Sequence, residues 1–177
     1  MRPVRAQVVC SGNTCRSPMA QAVLRDLLDR SPVGDRTEIT SAGLLVLDPG
    51  APADPRALAA LARAGLDGSA HRTTQFELDD VEEYDLVLFV EERHIDLFGA
   101  ARATAGARER VRLLRAFDPV AVALGTLDLP DPVEHGPAAY HRCLKDIRSA
   151  APRIVTELER LADERGQAGA GGEVRGV

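Results

Sequence analysis

Cys10 and Arg16 stand six positions apart, with Ser11-Gly12-Asn13-Thr14-Cys15 between them and Ser17-Pro18 following. That arrangement puts a thiol, a guanidinium and a run of backbone amides around one small anion, which is the equipment of phosphate chemistry. Cysteine and arginine at this spacing say little alone; the residues between them supply the specificity. Gly12 can take backbone angles closed to other residues and Asn13 tolerates the left-handed region, so the chain can curl and aim its amides inward. The positive ends of those amides, with Arg16, favour a Cys10 thiolate, and Ser17 can add a hydroxyl hydrogen bond to the sulfur. Cys15 has two readings: simple packing, or a neighbouring thiol that forms a reversible disulfide with Cys10 and protects it from further oxidation.

The elements that must hold this loop follow from the hydrophobic pattern. Residues 4–9 read as a buried strand, and Pro18 lies in the first turn of a helix reaching about residue 30, so the motif sits on a strand-loop-helix turn. A second strand at 38–42 is closed by Gly43. A proline- and glycine-rich loop leads to Asp54-Pro55-Arg56, where Asp54 suits an N-cap and Pro55 the first helical position; Gly65 ends that helix. A third helix is predicted over 73–81, followed by the most apolar strand, 85–90, whose composition suits burial on both faces. A short helix begins near Glu91, a fourth strand covers 110–114, and a last helix spans 137–163. From Gly166 the chain has no apolar period, so we expect one folded domain over 1–163 and a disordered tail over 164–177. Strands separated by helices favour an open parallel sheet with helices on both faces, its strand C-terminal ends sharing one edge.

Bulk properties narrow the classes. A chain of 177 residues, 45% hydrophobic and 28% charged, builds one globular core. No apolar run approaches the roughly 20 residues that span a bilayer, and Arg2 and Arg5 lead straight into a strand instead of a signal peptide; no membrane insertion and a cytoplasmic address are expected. A net charge of −5 argues against a nucleic-acid partner. Cys10, Cys15 and Cys143 fit neither a disulfide framework nor a four-ligand zinc site. His94, His135 and His141 have no metal-ligand spacing and read as surface residues, so neither a metal nor another cofactor is expected.

The run from Val9 to Ala20 resembles the phosphate loop of the low-molecular-weight protein-tyrosine phosphatases. Ser41-Ala42-Gly43, Asp54-Pro55-Arg56-Ala57, Ala70-His71-Arg72, Tyr84-Asp85-Leu86-Val87-Leu88 and Leu129-Pro130-Asp131-Pro132 follow in that family's order, over about residues 4–160. The resemblance implies a flavodoxin-like α/β fold of three layers with a four-stranded parallel sheet, and metal-free hydrolysis of phosphomonoesters through a cysteinyl-phosphate. It implies Cys10 as nucleophile, residues Ser11 to Ser17 as the phosphate cradle with Arg16 on the equatorial oxygens, and Asp131 as the acid that protonates the leaving oxygen. Asn13, Ser17, Ser41 and His71 match the hydrogen-bond network that shapes the loop. Asp48, Asp54 and Asp118 also precede proline; Asp131 is preferred because it lies between the fourth strand and the last helix, and Asp118 is the runner-up. Asp128 is read as ordering the loop.

Many family members flank the pocket with aromatic residues; here Leu47 and Val133-Glu134-His135 take those places. Leu47, with the segment from Tyr84 to Ile95, is similar to the bacterial branch that opposes capsule and exopolysaccharide tyrosine kinases, which makes a tyrosine-phosphorylated protein the favoured substrate. Thr14 resembles the branch that dephosphorylates arginine in proteins, and Glu134 could attract a basic group there, so protein-arginine phosphatase is the alternative. Thioredoxin-coupled arsenate reductases need two further downstream cysteines, and Cys143 stands alone. A silent phosphate-binding module would lack nucleophile, arginine or acid, and this chain has all three.

Overall fold

In a computed structural model, which describes residues 2–100 and 105–171, four parallel strands form one sheet: β1 (Val4–Cys10), β2 (Thr37–Gly43), β3 (Leu86–Phe89) and β4 (Val111–Leu113). Their order is β2-β1-β3-β4. Among the described residues six α-helices connect and cover them: α1 (Arg16–Leu28), α2 (Pro55–Arg63), α3 (Glu92–Ala100), α4 (Ala105–Arg110), α5 (Pro119–Leu124) and α6 (Pro137–Gly171).

The two-residue period of the strands sorts their side chains into two cores. Val4, Ala6, Val8 and Cys10 of β1, with Leu86 and Leu88 of β3, pack with α1 (Met19, Val23, Leu24), α2 (Leu61) and α6 (Ile147, Ile154, Leu158). Val9, Val87 and Phe89 face the other way, against Phe76, Phe98 and Ala107. There Phe76 meets Phe89 edge-on at 5.6 Å between centroids, and Phe98 closes the trio. This is the expected three-layer arrangement. Because β2 and β3 flank β1 on opposite sides, the chain leaving Cys10 emerges where the strand order reverses, the place where such sheets leave a crevice.

Three segments differ from expectation. Residues 73–76 are extended, not helical: Thr74 O accepts from Gly43 N at 2.9 Å, Phe76 N donates to Gly43 O at 2.8 Å, and Gly50 N reaches Thr73 O at 2.8 Å. Backbone bonding to the end of β2 overrides local pattern there, and only a 3-10 helix forms, at Leu78–Glu83. Second, α6 runs to Gly171, so 164–171 are helical where a disordered tail was expected; residues 172–177 lie outside the described residues. Charged side chains support the extension, with Arg165 donating to Pro3 O at 2.7 Å and pairing with Asp85. Third, α4 and α5 occupy stretches with no predicted helix.

Candidate active site

Between the end of β1 and the start of α1, residues 11–15 must reverse the chain within a few ångströms of the sheet. Asn13 makes the turn, at φ 56°, as the single non-glycine residue with positive φ among the described residues. Its short polar side chain makes that region accessible by bonding locally. Gly12, expected to supply the unusual backbone angles, has no positive φ, and a Cβ there would meet nothing closer than 3.8 Å. The glycine this loop requires is Gly43, paired with Cys10 in the sheet. A Cβ on Gly43 would stand 2.8 Å from Asn13 N and Gly12 C and 2.9 Å from Ser11 O.

The loop backbone is pinned to the chain after β2 by Leu44 N to Cys10 O at 2.9 Å and Leu45 N to Ser11 O at 2.8 Å. Asn13 N–H donates to Cys10 Sγ at 3.2 Å, and the Ser17 hydroxyl lies 3.0 Å from the same sulfur. Asn13 Nδ2 donates to Ser17 Oγ and Ser41 Oγ, both at 2.9 Å, while its Oδ1 accepts from Thr74 N at 2.8 Å. The Asn13 carbonyl accepts from His71 Nε2 at 2.9 Å, which fixes the imidazole hydrogen on that nitrogen. Burial pushes the His71 pKa down, against the bond to Asn13, and so favours the neutral ring. All four expected supporting residues therefore join one network through Asn13, with Asn13 and Ser17 reaching the sulfur. Cys15 supplies no side-chain cap to α1, which leaves the first N–H groups of the helix for an anion.

Cys15 itself is buried, 3.7 Å from the Tyr140 hydroxyl, and burial pushes its pKa up to about 11. A buried protonated thiol favours packing over the redox role. Cys10, Cys15 and Cys143 are all free.

Arg16 is 2% exposed, and both of its terminal nitrogens are engaged. Its Nη2 donates to Asp131 Oδ2 at 2.6 Å and Ser11 Oγ at 3.3 Å, and its Nη1 to Leu129 O at 3.1 Å and to Glu91. Val90 O, just past β3, accepts from Leu129 N at 2.8 Å; that bond brings the segment 129–131 back to the sheet edge. Asp128 accepts from Glu92 N at 2.7 Å, in the ordering role expected of it.

Two residues of this cluster were missed in the sequence. In sequence Glu91 reads as the start of a helix and as part of a branch-like segment, with no site role; it holds Arg16 from one side and Arg93 from the other. Burial raises its pKa, but the bonds from Arg93 and Arg16 outweigh that and hold it below the usual glutamate range. His94, expected at the surface, is 2% exposed, with Nε2 3.1 Å from Ser11 Oγ. Burial between charged neighbours pushes its pKa down, Arg16 and Arg93 opposing what Glu91 favours. The available signal was position: both follow directly on the most apolar strand, at the edge where such sheets carry their sites.

Cys10, Ser11, Gly12, Thr14, Cys15, Arg16, Pro130, Asp131, Val133, Glu134 and His135 line one open cleft of about 540 Å³. Thr14, Val133 and Glu134 thus stand where specificity was expected; Leu47 does not line it, being 90% exposed in the loop beyond. Asp118, the rival acid, is buried elsewhere. It caps α5 through Val120 N at 3.0 Å and accepts from Ser149 Oγ at 2.8 Å. No three His, Cys, Asp or Glu side chains converge on a metal position among the described residues. No helix among them is long and apolar enough to cross a membrane.

Residues 5–164 match the model of the family described as low molecular weight phosphotyrosine protein phosphatase. The low molecular weight protein-tyrosine-phosphatase of Streptomyces coelicolor is 36% identical over 161 residues, covering 91% of this chain and 97% of its own. A probable low molecular weight protein-tyrosine-phosphatase of Ralstonia solanacearum, EpsP, is 46% identical over 157 residues, with coverage of 87% and 95%. Among solved structures, the YwlE arginine phosphatase of Geobacillus stearothermophilus superposes with a TM-score of 0.73 at 28% identity, over 93% of this chain and 97% of that one.

Proposed function

The chain belongs to the low-molecular-weight phosphotyrosine protein phosphatase family, and from that premise we propose that it hydrolyses phosphotyrosine in proteins with Cys10 as nucleophile, Arg16 as phosphate clamp and Asp131 as acid and base. The observation that carries the assignment is the sharing of one guanidinium: Arg16 reaches Asp131 at 2.6 Å from the same short loop whose amide and hydroxyl aim at Cys10 Sγ.

Cys10 attacks phosphorus, forming the S–P bond as the P–O bond to the leaving oxygen breaks. Arg16 and the loop amides hold the equatorial oxygens, where charge builds in the transition state. A phosphoryl oxygen competes with Asp131 for Arg16 Nη2, which releases the carboxyl toward the leaving group. Parted from the guanidinium, the Asp131 carboxylate takes a proton from solvent and gives it to that oxygen, a necessary step because tyrosine ionises only near pKa ~10. The resulting carboxylate then takes a proton from water as water attacks phosphorus and the S–P bond breaks, which returns Cys10 and the acid to their starting forms. Glu91 keeps the Arg16 plane in place through both steps.

A phosphorylated protein fits the open cleft: Val133 offers an apolar face to the ring, and among the described residues no Phe, Tyr or Trp lines it. A bacterial tyrosine kinase of exopolysaccharide synthesis is a candidate partner, supported by the likeness of the segment from Tyr84 to Ile95 to that branch and by the EpsP relative. Three free cysteines support a cytoplasmic address. The second reading, phosphoarginine, is favoured by Thr14 at the cleft wall and by the fold shared with an arginine phosphatase.

The test is hydrolysis of an aryl phosphate without added metal, abolished in Cys10→Ser; full activity of that variant refutes the mechanism. For substrate class, catalytic efficiency on phosphotyrosine and phosphoarginine peptides is compared, then measured again in Thr14→Ile. We expect phosphotyrosine to lead, and an exchange that leaves the preference unchanged removes Thr14 as the selector.

A further inference from the structure

Asp54-Pro55-Arg56 opens α2, and capping accounts for only two of its three residues. Asp54 accepts from Arg56 N at 2.8 Å, and Pro55 occupies the first helical position. The Arg56 side chain does something else. Its Nε and Nη2 hold the two oxygens of Asp54 at 3.0 and 2.7 Å, and its remaining nitrogen, Nη1, crosses to Val133 O at 2.9 Å. Its Cζ lies over the Tyr140 ring, 5.0 Å from the centroid, and Tyr140 is fully buried in α6, with its hydroxyl toward Asp54 at 3.4 Å and Cys15. Asp54 is in turn fastened to the phosphate loop, its N–H donating to Thr14 O at 2.9 Å.

Val133 is the residue through which this reaches Asp131. Its N–H donates to Asp131 Oδ1 at 3.1 Å while its carbonyl accepts from Arg56. The acid loop is therefore tied to the nucleophile loop at Arg16, whose Nη1 holds Leu129 O and whose Nη2 holds the Asp131 carboxylate that a phosphoryl group competes for, and at Arg56, whose side chain does not line the cleft. We propose that Arg56 is a positioning residue, a strut that keeps the acid loop at its working distance from the phosphate loop when Arg16 turns to the phosphate. The role rests on the reading of Asp131 as the acid. It needs the planar guanidinium, because a lysine ammonium cannot hold both Asp54 oxygens and a carbonyl at once.

A misplaced acid matters in proportion to how badly the leaving group needs a proton. Arg56→Ala and Arg56→Lys are assayed on phenyl phosphate and on a nitrophenyl phosphate, whose leaving group is far more acidic, with inorganic phosphate as competitive inhibitor. We expect kcat/KM on phenyl phosphate to fall about tenfold in both variants, with a loss below about threefold on the nitrophenyl ester. The inhibition constant of phosphate stays unchanged, which shows the nucleophile loop intact. In an Asp131→Ala background, Arg56→Ala adds nothing, since a strut without an acid to place has no effect. Equal losses on both esters, weakened phosphate inhibition, or a further drop in that background overturns the proposal. If Asp131→Ala itself shows no dependence on the leaving group, the acid assignment falls and the strut with it; if only Arg56→Ala lacks it, the strut alone falls.

Discussion

Asn13→Gly and Asn13→Ala, compared in one unfolding experiment, separate two contributions of this residue: a left-handed backbone and a three-way side-chain bridge. Either substitution removes the bonds from Nδ2 to Ser17 and Ser41 at 2.9 Å and from Thr74 N to Oδ1 at 2.8 Å. Each contributes about 1 kcal/mol net, so the bridge accounts for about 3 kcal/mol. Ser17 and Ser41 keep other partners, Ala42 O at 3.3 Å and Gln21 Oε1 at 2.6 Å, so no further penalty for stranded hydroxyls is added. Glycine costs another ~0.5–1 kcal/mol through the freedom of its unfolded chain. Alanine avoids that but must hold φ 56°, which costs about 1–2 kcal/mol. Asn13→Gly is therefore expected to lose about 4 kcal/mol and Asn13→Ala about 1 kcal/mol more. At a urea dependence of about 2 kcal/mol per molar, the midpoints fall by about 2 M and a further ~0.5 M. Urea titration followed by circular dichroism in phosphate-free buffer reads both. An alanine variant as stable as the glycine variant refutes the backbone argument, and a loss below about 1 kcal/mol in either refutes the bridge.

Gly43→Ala drives a methyl group into the backbone of the phosphate loop, and we expect a loss of about 1–3 kcal/mol with a fall in kcat, while Gly12→Ala stays close to wild type in urea midpoint; matching effects would contradict the packing argument. Asp118→Ala removes the cap of α5 and the Ser149 bond and lowers stability by about 2 kcal/mol, yet leaves the contrast between phenyl and nitrophenyl esters intact; loss of that contrast moves the acid to Asp118. Folded His71 titrates below 6.5, mainly because it is buried, so the unfolded chain takes up the proton first. Its contribution to stability is complete above pH 6.5 and is lost as pH falls through the lower folded value. The urea midpoint of wild type should accordingly drop more between pH 8 and pH 5.5 than that of His71→Gln; parallel curves sink the linkage.

What could be read in the chain, and what could not, divides by the range of the interaction. The strand ending at Cys10, the helix after it and the cap at Asp54 are matters of neighbours in sequence, and all lie where pattern put them. The extended stretch 73–76 was misread because its conformation is set by Gly43 and Asn13, some thirty and sixty residues earlier, and no local period carries that information. Gly12 and Gly43 make the same point for a single residue type. Glycine inside a turn suggests a conformational need, yet Asn13 takes the positive φ and Gly43 is needed because another backbone passes within 2.9 Å of where its Cβ would be. Glu91 and His94 show how the site itself escaped notice. A glutamate and a histidine beside an apolar strand look like the start of a solvated helix, and they become site residues only because the strand order brings the end of β3 beside the end of β1. Buried Arg16 requires a carboxylate to neutralise it, and two answer: Asp131, partly exposed in the cleft, and Glu91, more deeply buried on the other terminal nitrogen of the guanidinium. The pairing of one guanidinium with an exposed and a buried carboxylate is thus a consequence of burying one arginine at the point where the sheet reverses its order.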